Sequence, residues 1–429
     1  MSTFNSIRTN KTILFGLLSF LCIVFQEFII LRLGIHWSPP SICIVIFSIL
    51  VLSSLSRQEI ISLCWNAGFI FAFLLSTGLF TQSIIHSYLN EPHGISSRIG
   101  SIAYTSGTIG IGAIFFIVVS HIHSQENNST HTHLPKILFF AGGIAAAVTA
   151  LLHLFMGLET FEPTQVMMKR PLLLTNQLFQ ASTGLIGKRG GYGILCIGSI
   201  AIATQYLFKK EYCYKKLFTL SIVLLTIAIG MSGFRSSYAA LIIYIFILLY
   251  FILTSRLKTA NFRMLAIAIP LIIMIASIVP AKYNNTISNS IDQISKSQRS
   301  LKHRIDQNRI AIDAIKSNPL FGRGIEFEKE YYLNNFTIHN TYLSVAGSHG
   351  LALASLLILL WVLPIYRFTT FYIQSQSQEQ RNTASIWIAN LASVFFIGLF
   401  SNIMMSYTLW SILSIAHLEL LMLRKQHIK

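Results

Sequence analysis

The strongest constraint on this chain is a succession of about twelve continuous apolar runs, most of them close to the roughly 20 residues a helix needs to cross a bilayer core of about 30 Å. They centre on Ile13–Leu33, Ser41–Ser56, Ile60–Phe80, Ser101–Ser120, Ile137–Leu158 and Gly191–Phe208 in the first half. Leu217–Gly233, Tyr238–Thr254, Met264–Val279, Ser344–Tyr366, Ala384–Asn402 and Tyr407–Leu423 follow. The runs are continuous rather than alternating. In lipid each backbone N–H and C=O must be satisfied within its own segment, so the runs are read as helices and not as barrel strands. Of 429 residues, 53% are hydrophobic and 11% charged, against about 25% charged in a soluble domain. No single globular core hides that much apolar surface. The expected fold is an all-α polytopic membrane protein, one integral membrane domain over residues 1–429. The first run follows Arg8 and Lys11 and reaches Leu33 without a small-residue cleavage site, so it is read as an uncleaved first span.

The net charge of +17 does not point to nucleic acid, because the lysines and arginines lie in the loops between apolar runs. There they set orientation and meet anionic headgroups. With the amino terminus inside, the short inside segments hold sixteen Lys and Arg and the short outside ones seven; the remaining nine lie after Val279. Both termini are therefore expected in the cytoplasm, with the long polar segment 281–340 on the far side. Cys22, Cys43, Cys64, Cys196 and Cys213 form no CxxC pair and none lies in that long segment, so no disulfide framework or metal site is indicated.

The stretch from Leu301 to Gly350 is the largest polar interruption and the place where chemistry is expected. Residues 284–300 are polar and read as mobile. A helix is predicted over about 300–317, stopped by Asn318-Pro319. Arg304 and Arg309 share it. At about 100° per residue they point roughly 140° apart, so one is a ligand candidate and the other a solvated or headgroup arginine; spacing alone does not choose. His339 stands where the chain re-enters an apolar run, a place for a general base of near-neutral pKa. His349, inside the run, is read as packed. Glu326, Glu328 and Glu330 are rival bases, but their alternation reads as one polar face of an extended segment.

Arg235 sits almost without a loop between two runs, among Ser232, Gly233, Ser236 and Ser237. A snorkelling anchor is the plain alternative. The small neighbours favour an anion site, since they let a phosphate approach the backbone and the next helix is expected to begin near Ser236 with its amino end outward. Four more basic residues, Lys169, Arg170, Lys188 and Arg189, lie in the outside segment 159–190, where they guide an anionic ligand or bind headgroups. His121, His123, His131 and His133 read as a solvated loop rather than a metal site. Glycines in GTIGIGAIF and AGGIAAA lie inside spans and read as close helix packing rather than a nucleotide loop. No DxD-type acidic pair lies outside to hold a metal with a sugar nucleotide.

Three pieces of this sequence resemble the O-antigen ligase family of bacterial inner membranes and its wider superfamily with O-antigen polymerases. The first is Ser232-Gly233-Phe234-Arg235, closing one span and opening the next. The second is Arg304, opening an amphipathic helix that ends in the turn Pro319-Leu320-Phe321-Gly322. The third and most specific is His339, Asn340 and, nine residues on, Gly350. Length, span number and one large periplasmic loop before the last three spans are also similar. Leu353 departs from the ligase pattern, which prefers a small or hydroxyl residue there, and leaves ligase and polymerase both open.

The resemblance implies a polyprenyl-glycosyltransferase (GT-C-like) architecture and metal-independent, cofactor-free transfer. It favours Arg304 over Arg309. Arg235 and Arg304 are expected to hold the donor diphosphate and His339 to act as catalytic base. Asn340, Gly350, Arg189, Lys188 and Arg309 are possible supporting residues. The implied partners are an undecaprenyl-diphosphate-linked O-polysaccharide donor, a lipid A–core acceptor and membrane lipids, with the site facing the periplasm. An O-linked oligosaccharyltransferase is a weaker alternative. A lipid-linked sugar transporter would need ionisable residues in several spans and an internal repeat; Glu27 and few others are found, and no clear repeat.

Overall fold

The computed structural model describes residues 133–156, 169–171, 178–180, 189–209, 214–232, 234–256, 290–324, 338–401, 403 and 406–428, with several positions between 70 and 81. The expected spans 13–33, 41–56, 101–120 and 264–279 lie outside these residues, as do Cys22, Cys43, Cys64, Cys213, Glu27, Lys188, Glu326, Glu328, Glu330, three of the four loop histidines and the glycines of GTIGIGAIF.

Helices dominate. They are α1 (Leu134–Met156), α2 (Arg189–Phe208), α3 (Lys215–Met231), α4 (Arg235–Arg256), α5 (Ser290–Ser317), α6 (Thr341–Gln374), α7 (Gln378–Phe400) and α8 (Tyr407–Ile428). Seven coincide with expected spans. The eighth, α5, ends at Ser317 as expected but begins at Ser290, so much of the stretch read as mobile is helical. A short antiparallel ribbon pairs β1 (Lys169–Pro171) with β2 (Leu178–Gln180), Arg170 opposite Phe179. Lys169 and Arg170 thus lie on a strand.

Among the described residues, five helices are long and apolar enough to cross a membrane: α1, α2, α4, α6 and α7. Their packing separates a core from a lipid-facing rim. The apolar window of α2 is 89% buried, that of α4 only 17%. On α4 the exposed side chains are Ile242, Ile245, Leu249 and Leu253, a stripe at helical spacing. Water would penalise that stripe; hydrocarbon does not. The outward face is thus the signature of a multi-pass membrane protein.

Helix α2 sits centrally, packed by α1, α3, α4, α7 and α8. Small residues permit the close approach. A Cβ at Gly143 of α1 would stand 2.0 Å from Ser199 Oγ on α2, and one at Gly193 would stand 2.1 Å from Ser237 Oγ on α4. Close packing, the reading given to AGGIAAA, is what Gly143 does. Aromatic contacts join α6 to α7: Tyr342 and Phe395 lie 4.6 Å apart by ring centroid, and the Tyr342 hydroxyl donates to the Phe395 carbonyl at 3.2 Å.

At the end of the bundle where α1 begins and α2 ends, a buried ionic group links three helices. Lys136 of α1 pairs with Glu419 of α8, and Gln205 of α2 donates to the same carboxylate at 2.8 Å. Lys136 is 1% exposed and Glu419 2%. Sequence reading missed Glu419; the signal was a carboxylate in the run SIAHLELLML. His133 lies just before α1, its Nδ1 3.4 Å from the Tyr206 hydroxyl. Burial, then the Lys136 and Lys209 charges, push its pKa down to about 4.

Candidate functional site

The opposite end of the bundle is where the helices that start nearest Arg189, Arg235 and His339 begin. Helices α2, α4 and α6 all begin there, at Arg189, Arg235 and Thr341. Direct contacts tie these amino ends together. Ser237, two residues into α4, abuts Gly193 of α2. A Cβ at Gly190 would meet Ile403 and Ser401, both at 2.9 Å. Thr341 Oγ1 donates to the Ser401 carbonyl at 2.6 Å and accepts from the Ile403 amide at 3.0 Å. Thr408 Oγ1 donates to the Gly191 carbonyl at 3.2 Å. The starts of three helices therefore lie at one end of the bundle, each the partly positive end of its helix.

Arg235 is the first residue of α4, one position before the expected start. The turn before it is tight. Ser232 caps α3, its hydroxyl donating to the Ile229 carbonyl at 2.8 Å and accepting from the Phe234 amide at 3.3 Å. The Tyr238 hydroxyl reaches back to the Gly230 carbonyl. Ser232 thus closes α3 three residues before α4 opens at Arg235.

His339 is exposed, and its neighbours on both sides are fixed. Ile338 is buried against Ala311 and Ala314 of α5. Asn340 is the N-cap of α6, its Oδ1 accepting from the Tyr342 and Leu343 amides, both at 3.0 Å. The cap accounts for Asn340 without any substrate contact. His349 is buried, as expected.

Helix α5 resolves its two arginines by face. Among its described side chains Gln307, Ala311 and Ala314 are buried, and Arg304, half-buried, continues that i, i+3, i+7 series. Arg309 is exposed, on the side of Asp306, Ile312 and Asp313. Arg304 therefore lies on the face that packs toward α6 and Ile338, two turns along the helix from Ala311.

The proline turn and the distant glycine form one joint. Pro319–Gly322 docks on α6 where Gly350 breaks it, with φ 84 and ψ 170. The break leaves α6 carbonyls and an amide without their helical partners. Arg323 N–H donates to the Gly347 carbonyl and Gly324 N–H to the Ser348 carbonyl, both at 2.8 Å, and Leu351 N–H donates to the Pro319 carbonyl at 2.7 Å. The P-x-x-G turn and the x9-Gly spacing are thus two halves of one backbone interlock.

Residues 220–358 match the family model described as O-antigen ligase. No curated protein matches the chain. The matched segment carries the Ser232–Arg235 hairpin, Arg304, the Pro319–Gly322 turn, His339 and Gly350. The likeness to the O-antigen ligase family thus extends over residues 220–358.

Proposed function

We propose that this protein is an O-antigen ligase of the bacterial inner membrane, moving O-polysaccharide from undecaprenyl diphosphate to lipid A–core at its periplasmic face. The observation that carries the reading is the convergence at one bundle end of the α2, α4 and α6 amino ends with His339. The α5 face that bears Arg304 packs against the residue just before that histidine. The family match supports the broader class, ligases and polymerases acting on lipid-linked glycans.

In this mechanism Arg235 and Arg304 hold the diphosphate, helped by the partial positive charge of three helix ends. An acceptor hydroxyl attacks the anomeric carbon from the face opposite the diphosphate. The new glycosidic bond forms as the sugar–phosphate C–O bond breaks, and the diphosphate leaves with the electron pair. The arginines offset the charge that develops on it, which is the electrostatic part of the rate enhancement. His339 takes the hydroxyl proton. One displacement inverts the anomeric centre. Neither metal nor cofactor enters the scheme.

The polymerase alternative rests on Leu353. That side chain fills the space over Gly78, where a Cβ would lie 2.5 Å from Leu353 Cδ2. A deletion strain separates the readings on a lipopolysaccharide gel. Loss of the ligase leaves core with no O-chain; core bearing one repeat would establish a polymerase instead. In the same strain a His339→Ala protein at normal abundance should give no O-chain. Full transfer by it would remove His339 from the mechanism.

A further inference from the structure

Leu320 and Phe321 stand side by side in the turn after α5, 64% and 70% exposed. The turn is built without their side chains. The Asn318 carbonyl accepts from the Gly322 amide at 2.9 Å, and Gly322 supplies the left-handed torsion. Leu320 meets α6 through its backbone carbonyl, which lies against Gly350. A turn in water is made from Gly, Pro, Asn, Asp and Ser. One exposed leucine means little, so the level at which these two residues sit determines what surrounds them.

Helix α6 supplies that level. From Thr341 to Gly350 its residues are buried, Leu343 half-buried. Exposed apolar side chains begin at Leu351 and continue through Ile358, Leu359 and Val362 to Ile373. Those twenty-two residues rise about 33 Å, close to the roughly 30 Å of a bilayer core. Leu351 therefore marks the edge of the hydrocarbon on the side at which α6 begins. The turn is bonded to α6 at that residue, through the Pro319 carbonyl. Arg323 and Gly324 bond about one helical turn farther from the hydrocarbon, at Gly347 and Ser348. Leu320 and Phe321 thus follow the end of the turn that lies deepest along α6. Lys316 is exposed in the last turn of α5, four residues before Leu320, where a long flexible stem reaches lipid phosphates.

We propose that Leu320 and Phe321 insert into the acyl region of the leaflet at which α6 begins, continuing the lipid-facing surface of α6. The partner is the bilayer itself, its hydrocarbon around the two side chains and its phosphates beside Lys316. The same backbone joint that carries this tip holds Gly350, so insertion sets the start of α6 at a fixed height over the lipid surface. The proposal does not depend on the ligase reading.

Tryptophan fluorescence of the full chain in lipid nanodiscs tests this, with Phe321→Trp and Leu320→Trp proteins compared in turn. Subtracting the wild-type spectrum removes the emission of the chain's own five tryptophans. At an insertion depth of about 5–10 Å, the added emission should fall at least about twofold when the acyl chains are brominated near the glycerol end. Bromine near the methyl end should quench less, and aqueous iodide should have little effect. Quenching by iodide with none by brominated lipid would place the tip in water and overturn the proposal. Protection from both quenchers would also overturn it, because another protein segment or a second copy would then cover the tip.

Discussion

Gly322 and Gly350 lock two distant segments through their bare backbones. Gly322 has φ 66, and a Cβ there would lie 2.5 Å from the backbone of Ser348 and His349. Gly350 has φ 84, and a Cβ there would lie 2.0 Å from the Leu320 carbonyl oxygen. Each glycine is needed twice, for its left-handed torsion and for the other segment's approach.

Gly350→Ala should therefore be among the most damaging single-methyl changes in the protein. The backbone strain alone costs roughly 1–3 kcal/mol, and the clash is with backbone that has little room to yield. A large drop in the detergent thermal midpoint and loss of O-chain are expected together. Gly230→Ala is the control, since nothing lies within 4 Å of its Cβ and Gly230 sits in α3. Alanine there should be neutral or stabilising by up to about 1 kcal/mol.

Asn340 tests whether a residue beside the proposed base acts on substrate or on backbone. Its Oδ1 satisfies two amides of α6. Asn340→Ala should cost about 1 kcal/mol of stability and lower transfer by loosening His339. Asn340→Asp and Asn340→Ser, which keep a capping oxygen, should recover most of both in thermal unfolding and on the gel. An amide that touched the glycan would not be replaced by either.

The Lys136–Glu419 pair should be costly to halve and cheap to neutralise. Lys136→Met leaves a carboxylate in the interior with Gln205 as its hydrogen-bond donor, a loss of roughly 3–5 kcal/mol for a buried pair broken on one side. Lys136→Met/Glu419→Gln removes both charges and leaves Gln205 a carbonyl to meet. The double variant should unfold at a higher temperature than Lys136→Met alone.

His133 gives stability a pH slope. Its folded pKa of about 4 lies below the unfolded value of about 6.5. Between those values the unfolded chain binds more protons than the native one, so stability rises with pH across the window. His133 should contribute fully above pH 6.5 and lose its contribution as pH falls toward 4. Comparing thermal midpoints of wild type and His133→Gln across that range should show a shallower dependence in the variant.

The span pattern was legible because continuous apolar runs in lipid admit few structures. Seven helices fall where those runs do, and Ser317 ends α5 before Pro319 as turn chemistry requires. The start of α5 was not legible, because residues 290–299 have too few apolar positions to mark a helical face. The role of Asn340 was equally hidden: a cap and a ligand look alike until the helix start is known. The Gly322–Gly350 joint pairs residues far apart in the chain through backbone groups, which leave no side-chain pattern to read. Lys136 was counted only as a topology marker, and its partner Glu419 shares no local motif with it.

Arg304 and Arg309 give the sharpest separation between neighbours. Spacing put them roughly 140° apart, and the structure puts only Arg304 on the face shared with Gln307, Ala311 and Ala314. Arg309 points away from α6, beside the exposed Asp306 and Asp313. Arg309→Gln should leave O-chain transfer within about twofold of wild type, since an exposed charge contributes little. Arg304→Gln should reduce it at least tenfold, and Arg304→Lys should restore only part, because a point charge does not reproduce a bidentate guanidinium on phosphate. Lipopolysaccharide gels at matched protein abundance provide the comparison. Equal loss in the Arg304→Gln and Arg309→Gln proteins would mean that α5 charge as a whole, and not one face of it, meets the donor.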